Sequence, residues 1–93
     1  MEKIIQFRTA NPKRFAVSTI AVLYENLQKR VSDRRSYEQG KITRNGFTPI
    51  SDKELDEMTM QLRERVEFCV RHYGITQQDI DGYSMPMKIR ITN

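Results

Sequence analysis

Arg30, Arg34, Tyr37 and Lys41 are the side chains of this sequence best suited to holding an anion. On a helix, at about 100° per residue, they fall within roughly 60° of one another and form a basic row with one aromatic in it. Guanidinium groups fork onto phosphate or carboxylate oxygens, and a tyrosine ring can stack on a base. Lys29, Arg35 and Arg44 flank the row, so the expected set that binds nucleic acid or a partner is Lys29, Arg30, Arg34, Arg35, Tyr37, Lys41 and Arg44. A plainer reading competes. Cations suit the C-terminal end of a helix dipole, and Asp33 and Glu38 stand four residues from Lys29 and Arg34, the spacing of a helical ion pair. Arg8, Lys13 and Arg14, together with Lys88 and Arg90, would extend the patch if the fold brings them to it.

Other chemistry is poorly supported. General acid–base catalysis needs titratable groups held in a pocket, and nucleophilic catalysis needs a nucleophile beside a base. No glycine-rich phosphate loop, nucleophile elbow or carboxylate pair is legible, and Glu54, Asp56 and Glu57 are accounted for as acids at a helix start. No enzyme, catalytic residue or cofactor is expected. Cys69 and His72 are three apart, but a metal site wants about four ligands and the chain holds one cysteine and one histidine, so no metal is expected. Met60 and Phe68 fall roughly opposite the apolar stripe of their helix, which marks them as a possible partner contact as well as ordinary exposed residues.

The elements that must position these groups follow from spacing. Lys3 to Thr9 is rich in strand-forming types, with Ile5 and Phe7 on one face. Asn11-Pro12 starts a helix, and Ala16, Ile20, Leu23, Leu27 and Val31 recur along it with Phe15 and Tyr24 flanking. The apolar stripe ends at Val31, yet nothing stops the helix before Gly40, so it should run two turns past its core contact and carry the basic row with it. One long helix from Asn11 to Gly40 leaves no room for the two short helices of a helix-turn-helix. Lys41 to Ile50 contains Asn45-Gly46, a tight-turn dipeptide, and reads as a short hairpin or ordered loop, with Pro49 confining it to an edge.

Ser51 and Glu54 form a capping box ahead of a second helix, whose Leu55, Met58, Leu62, Val66, Cys69, Val70 and Tyr73 share one face. Gly74 ends it, and Thr76 with Asp79 opens a short helical turn. From Tyr83 the period changes to two: Tyr83, Met85, Met87, Ile89 and Ile91 alternate with polar residues or proline, the pattern of a strand with one buried face. The expected fold is therefore α+β: two main amphipathic helices packed on a small antiparallel sheet of the N- and C-terminal strands, with a short hairpin between the helices.

With 93 residues, 38% of them hydrophobic and 30% charged, the chain should make a single domain over residues 1–93. Sixteen basic residues against 12 acidic ones give a formal charge of +4, which favours anionic partners. One cysteine allows no internal disulfide, and no stretch approaches the ~20 apolar residues of a bilayer span or the core of a signal peptide, so a cytoplasmic protein without membrane contact is expected.

The function expected on these grounds is non-enzymatic binding. The chain would engage a nucleic acid or a nucleic-acid-handling protein complex through its basic helical surface and act by occupancy, as accessory factor or inhibitor. The format, under 100 residues with no enzyme motif, is similar in size and style to small phage-encoded inhibitors of host defence, anti-CRISPR proteins included. That resemblance implies docking mainly on the protein subunits of a larger host nucleoprotein assembly and transfers no residue positions. A structural homodimer joined through sheet edges is the further alternative.

Overall fold

A computed structural model describes residues 11–42 and 45–92. Three helices account for most of them: α1 over Pro12–Glu38, α2 over Asp52–Tyr73 and α3 over Gln77–Asp81. α1 opens where Asn11 caps it, its side-chain oxygen accepting from the Arg14 N–H at 3.1 Å, with Pro12 at the first position where no donor is missed. It closes in a Schellman motif. The Lys41 N–H donates to the Ser36 carbonyl at 2.8 Å and the Gly40 N–H to the Tyr37 carbonyl at 3.0 Å, which requires the left-handed φ of 74° that Gly40 adopts without a Cβ clash. α2 and α3 both open with reciprocal capping boxes, Ser51 with Glu54 and Thr76 with Asp79.

α1 and α2 pack as an antiparallel hairpin. Ala16 lies beside Cys69 at one end of the pair, and Arg34 reaches Asp52 at the other. The core sits towards the first of these ends, where Ala16, Val17, Ile20 and Ala21 of α1 meet Val66 and Cys69 of α2, with Ile75, Ile80 and Met87 closing over them. Ile20 and Ile80 are fully buried, and each such side chain removed from water contributes about 1.5–3 kcal/mol. Cys69 behaves as a small hydrophobe whose thiol donates to the Ala16 carbonyl at 3.7 Å.

Two parts of the expected architecture are corrected. The described residues contain no strand, so the α+β fold with its antiparallel sheet gives way to a helical one. The expected N-terminal strand, Lys3 to Thr9, lies outside the described residues. At the other terminus the burial alternation is present, with Met87 buried, Tyr83, Met85, Ile89 and Ile91 half-buried, and the residues between them exposed. What is missing is a ladder. Side chains take its place: the Gln77 amide donates to the Ile89 carbonyl at 2.8 Å and accepts from the Ile91 N–H at 2.9 Å, as a neighbouring strand's peptide group would. The Tyr24 hydroxyl accepts from the Lys88 N–H at 3.1 Å. An extended tail can thus lie on helices without a sheet, because period-two burial asks only for one wet face and one dry one.

The expected hairpin between the helices is likewise a loop. Asn45-Gly46 turns, with Gly46 at φ 82°, but no strands pair across it, and Thr43 and Arg44 lie outside the described residues. The loop folds back along the second half of α1, so that half is not bare. The Tyr37 and Phe47 rings stand 5.6 Å apart, and Ile50 is buried. Of the expected α1 stripe, Ala16, Ile20 and Leu27 are buried while Leu23 and Val31 are half-buried. Val17 and Ala21 are buried as well, because α1 is covered on a second flank by α3 and the tail. Phe15, expected to flank the stripe, is 61% exposed.

Candidate functional site

The basic row divides in two according to what each cation meets. Arg34, on the flank of α1 that faces the start of α2, hydrogen-bonds the Asp52 carboxylate at 2.7 Å and also reaches the Ile50 carbonyl at 3.4 Å and Glu38 at 3.7 Å. Arg30 pairs with Glu54 at 3.5 Å. The hydrogen bond to Asp52, reinforced by its charge, raises the pKa of the Arg34 guanidinium, a group that is charged in any case. Glu54 is pushed below its ordinary value, first by the Ser51 backbone N–H that donates to it, then by the Ser51 hydroxyl and the Arg30 charge, against some desolvation. Two of the four residues in the expected row are thus engaged by acids of the same chain. Sequence periodicity finds the cations but not Asp52 and Glu54, since those arrive from 18 and 24 residues away across the loop.

The rest of the set is differently placed. The Lys29, Arg35 and Lys41 side chains are exposed and have no ion pair or hydrogen bond among the described residues. At about 100° per residue, Lys29 and Arg35 are about 120° apart around α1, so they present charge on two flanks and not on one face. Tyr37 is 45% exposed while its ring lies against Phe47. Arg44 is outside the described residues, as is Arg8 of the smaller basic group. Lys13 and Arg14 line a separate recess of about 430 Å³ with Gln78, Asp79 and Tyr83.

The outward face of α2 holds a second cluster. Phe68 is 42% exposed, with the His72 ring 4.3 Å from its own, the Tyr73 ring at 6.3 Å and the Arg65 guanidinium 5.6 Å above it. Spacings of three, four and five residues along one helix bring these groups together. Met60, 56% exposed, stands two turns earlier. His72 is exposed and its ring also lies against that of Phe68, and among the described residues no group of three metal-ligating side chains occurs. Among the same residues no helix is long and apolar enough to cross a membrane.

A further basic group escapes a reading of α1 alone. Arg63 and Arg71, eight apart on α2, line a groove with Lys88 and Arg90 of the tail. The signal for it is present in the sequence as the i, i+8 pair of arginines and the alternating cations of the tail, but only the packing of tail on helix unites them. These cations join one another and not the row on α1. No protein-family model, curated protein or solved structure matches this chain, so its site is described by its own residues alone.

Proposed function

We propose that the chain is a non-enzymatic binding protein that acts by occupancy on an anionic macromolecular target, a nucleic acid or the protein complex that handles one. The observation that carries this reading is that Lys29, Arg35 and Lys41 are exposed and have no ion pair among the described residues, while Asp52, Glu54 and Glu38 are engaged by Arg30 and Arg34. Positive groups left without partners at one end of a small domain raise the local concentration of anions and steer association. Tyr37, partly exposed beside them, supplies a flat surface for a base or a side chain.

The test is retardation of a labelled 20-nucleotide RNA and its DNA equivalent at ~50 mM salt, followed by the triple variant Lys29→Glu, Arg35→Glu and Lys41→Glu. Retardation by the wild type, abolished in the triple variant, supports direct binding. Reversing Arg30 or Arg34 is the wrong experiment, because it sets a new carboxylate against Glu54 or Asp52 and disturbs the hairpin itself. A second reading, docking on protein subunits as an inhibitor or adaptor, is favoured by the exposed Met60 and by Phe68 with its attendant Arg65 and His72, types enriched where proteins meet. It predicts a stable complex on affinity purification that Phe68→Ser disperses. No retardation and no such complex together would dispose of both readings.

A further inference from the structure

An open groove of about 880 Å³ runs between one flank of α2 and residues 88–92. Leu62, Val66 and Val70 of α2 and Ile89 and Ile91 of the tail give it apolar surface. Its charged lining is lopsided: Arg63, Arg71, Lys88 and Arg90 are exposed and have no carboxylate partner among the described residues, against the single acid Glu67. The tail's two edges are unequally held, and on the edge that Lys88 shares with Arg90 only the Lys88 N–H has a partner among the described residues, the Tyr24 hydroxyl. Gln77 takes the backbone groups of Ile89 and Ile91. In an extended chain the N–H and C=O of a residue share one edge and those of the next residue lie on the other. The Arg90 N–H and C=O fall on that opposite edge and have no partner among the described residues.

We propose that this groove takes an extended segment of a partner protein in which acidic and apolar side chains alternate, paired through its backbone to the tail edge at Arg90. Each feature of the lining selects one feature of that segment. The four cations want carboxylates, the apolar surface wants side chains at every second position, and the unfilled N–H and C=O want a peptide group. A second copy of the chain is a poor occupant, because antiparallel pairing of two such tails about Arg90 would set Arg90 against Arg90 and leave Lys88 in both copies near the same charges. A single-stranded nucleic acid meets the charges but finds no aromatic ring in the lining to stack on. This surface is separate from Lys29, Arg35 and Lys41, so either proposal can fail while the other stands.

The test uses fluorescence anisotropy at ~50 mM and ~150 mM salt with a labelled ten-residue peptide of alternating glutamate and valine. Saturable binding is expected, with about tenfold weaker affinity for Arg63→Glu with Arg71→Glu and for Lys88→Glu with Arg90→Glu, all at exposed positions where folding is undisturbed. Two further peptides, N-methylated on the odd or on the even amides, separate edge pairing from charge alone. One of the two should lose about tenfold while the other binds as the parent does. Arg90→Pro, which removes the donor and keeps the chain extended, should weaken the parent peptide comparably. Equal affinity of both methylated peptides would overturn the proposal, as would tighter binding of a ten-nucleotide oligothymidylate or self-association that displaces the peptide.

Discussion

Where α1 begins and α2 ends, Ala16, Ile20, Val66 and Cys69 meet almost without water; where α1 ends and α2 begins, Arg30 and Arg34 reach across to Glu54 and Asp52. The same helix pair is thus joined by volume at one end and by charge at the other. Close-packed apolar side chains fix distance and register together, and they do so in any salt. Exposed ion pairs contribute little to stability but fix which acids face which cations, and with that, which cations stay available. The polar end accordingly does double service: its paired arginines set the hairpin and its unpaired cations face outward.

The largest expected effect belongs to the apolar end. Ile20→Ala removes a fully buried side chain from the core cluster to which α1, α2, α3 and the tail all contribute, and should cost about 2–5 kcal/mol in chemical denaturation. Arg34→Ala, made in parallel, should cost much less. If the two were equal, the division between an apolar and a polar end would be wrong. Next comes Gln77→Ala, which leaves the Ile89 carbonyl and the Ile91 N–H without their side-chain partner and should cost about 1–3 kcal/mol. Gln77→Glu sharpens the point, since it keeps the acceptor for Ile91 and loses the donor to Ile89. Faster amide exchange confined to residues 87–92 in both variants would show that the tail hangs on this one amide.

Ser51→Ala is smaller again, about 1 kcal/mol, and acts at the polar end alone. Its local signature is faster exchange in the first turn of α2, where Glu54 loses the hydroxyl that accepts from its N–H.

Chain punctuation was the legible part of this sequence. Asn11-Pro12, Gly40, Ser51 with Glu54, Gly74 and Thr76 with Asp79 each mark an element end that the structure places there, because capping is a contract among residues three or four apart. Pairing was not legible. The period of the tail marks one dry face, but a dry face makes a sheet only where another backbone meets its edge, and here Gln77 and Tyr24 do so with side chains. The candidate site failed in the same way. Helical spacing gathers Arg30, Arg34, Tyr37 and Lys41 onto one row and offers Glu38 as a partner for Arg34, which the structure has at 3.7 Å, but the engagement of Arg34 by Asp52 and of Arg30 by Glu54, 18 and 24 residues away, is information that a loop carries and a periodicity does not.

The smallest effects follow from ionic strength and pH, and they test the contrast most directly. Exposed pairs are screened once the Debye length shrinks from about 10 Å at 0.1 M salt towards a few ångström, whereas buried apolar contacts are not. Raising salt from 0.1 M to about 0.5 M should therefore speed amide exchange about two- to threefold at residues 50–56 and leave residues 16–21 and 66–69 slow. Acid acts through Glu54. Its folded pKa lies below its unfolded one, so its contribution to stability is complete above the ordinary glutamate value, near 4.3, and is lost as pH falls through the lower folded value. A loosening that appears below about pH 4, begins at the start of α2 and is absent in Glu54→Gln would place it on this carboxylate. Loosening of both ends in step, by salt or by acid, would mean that the hairpin opens as one unit and that its charged end has no stability of its own.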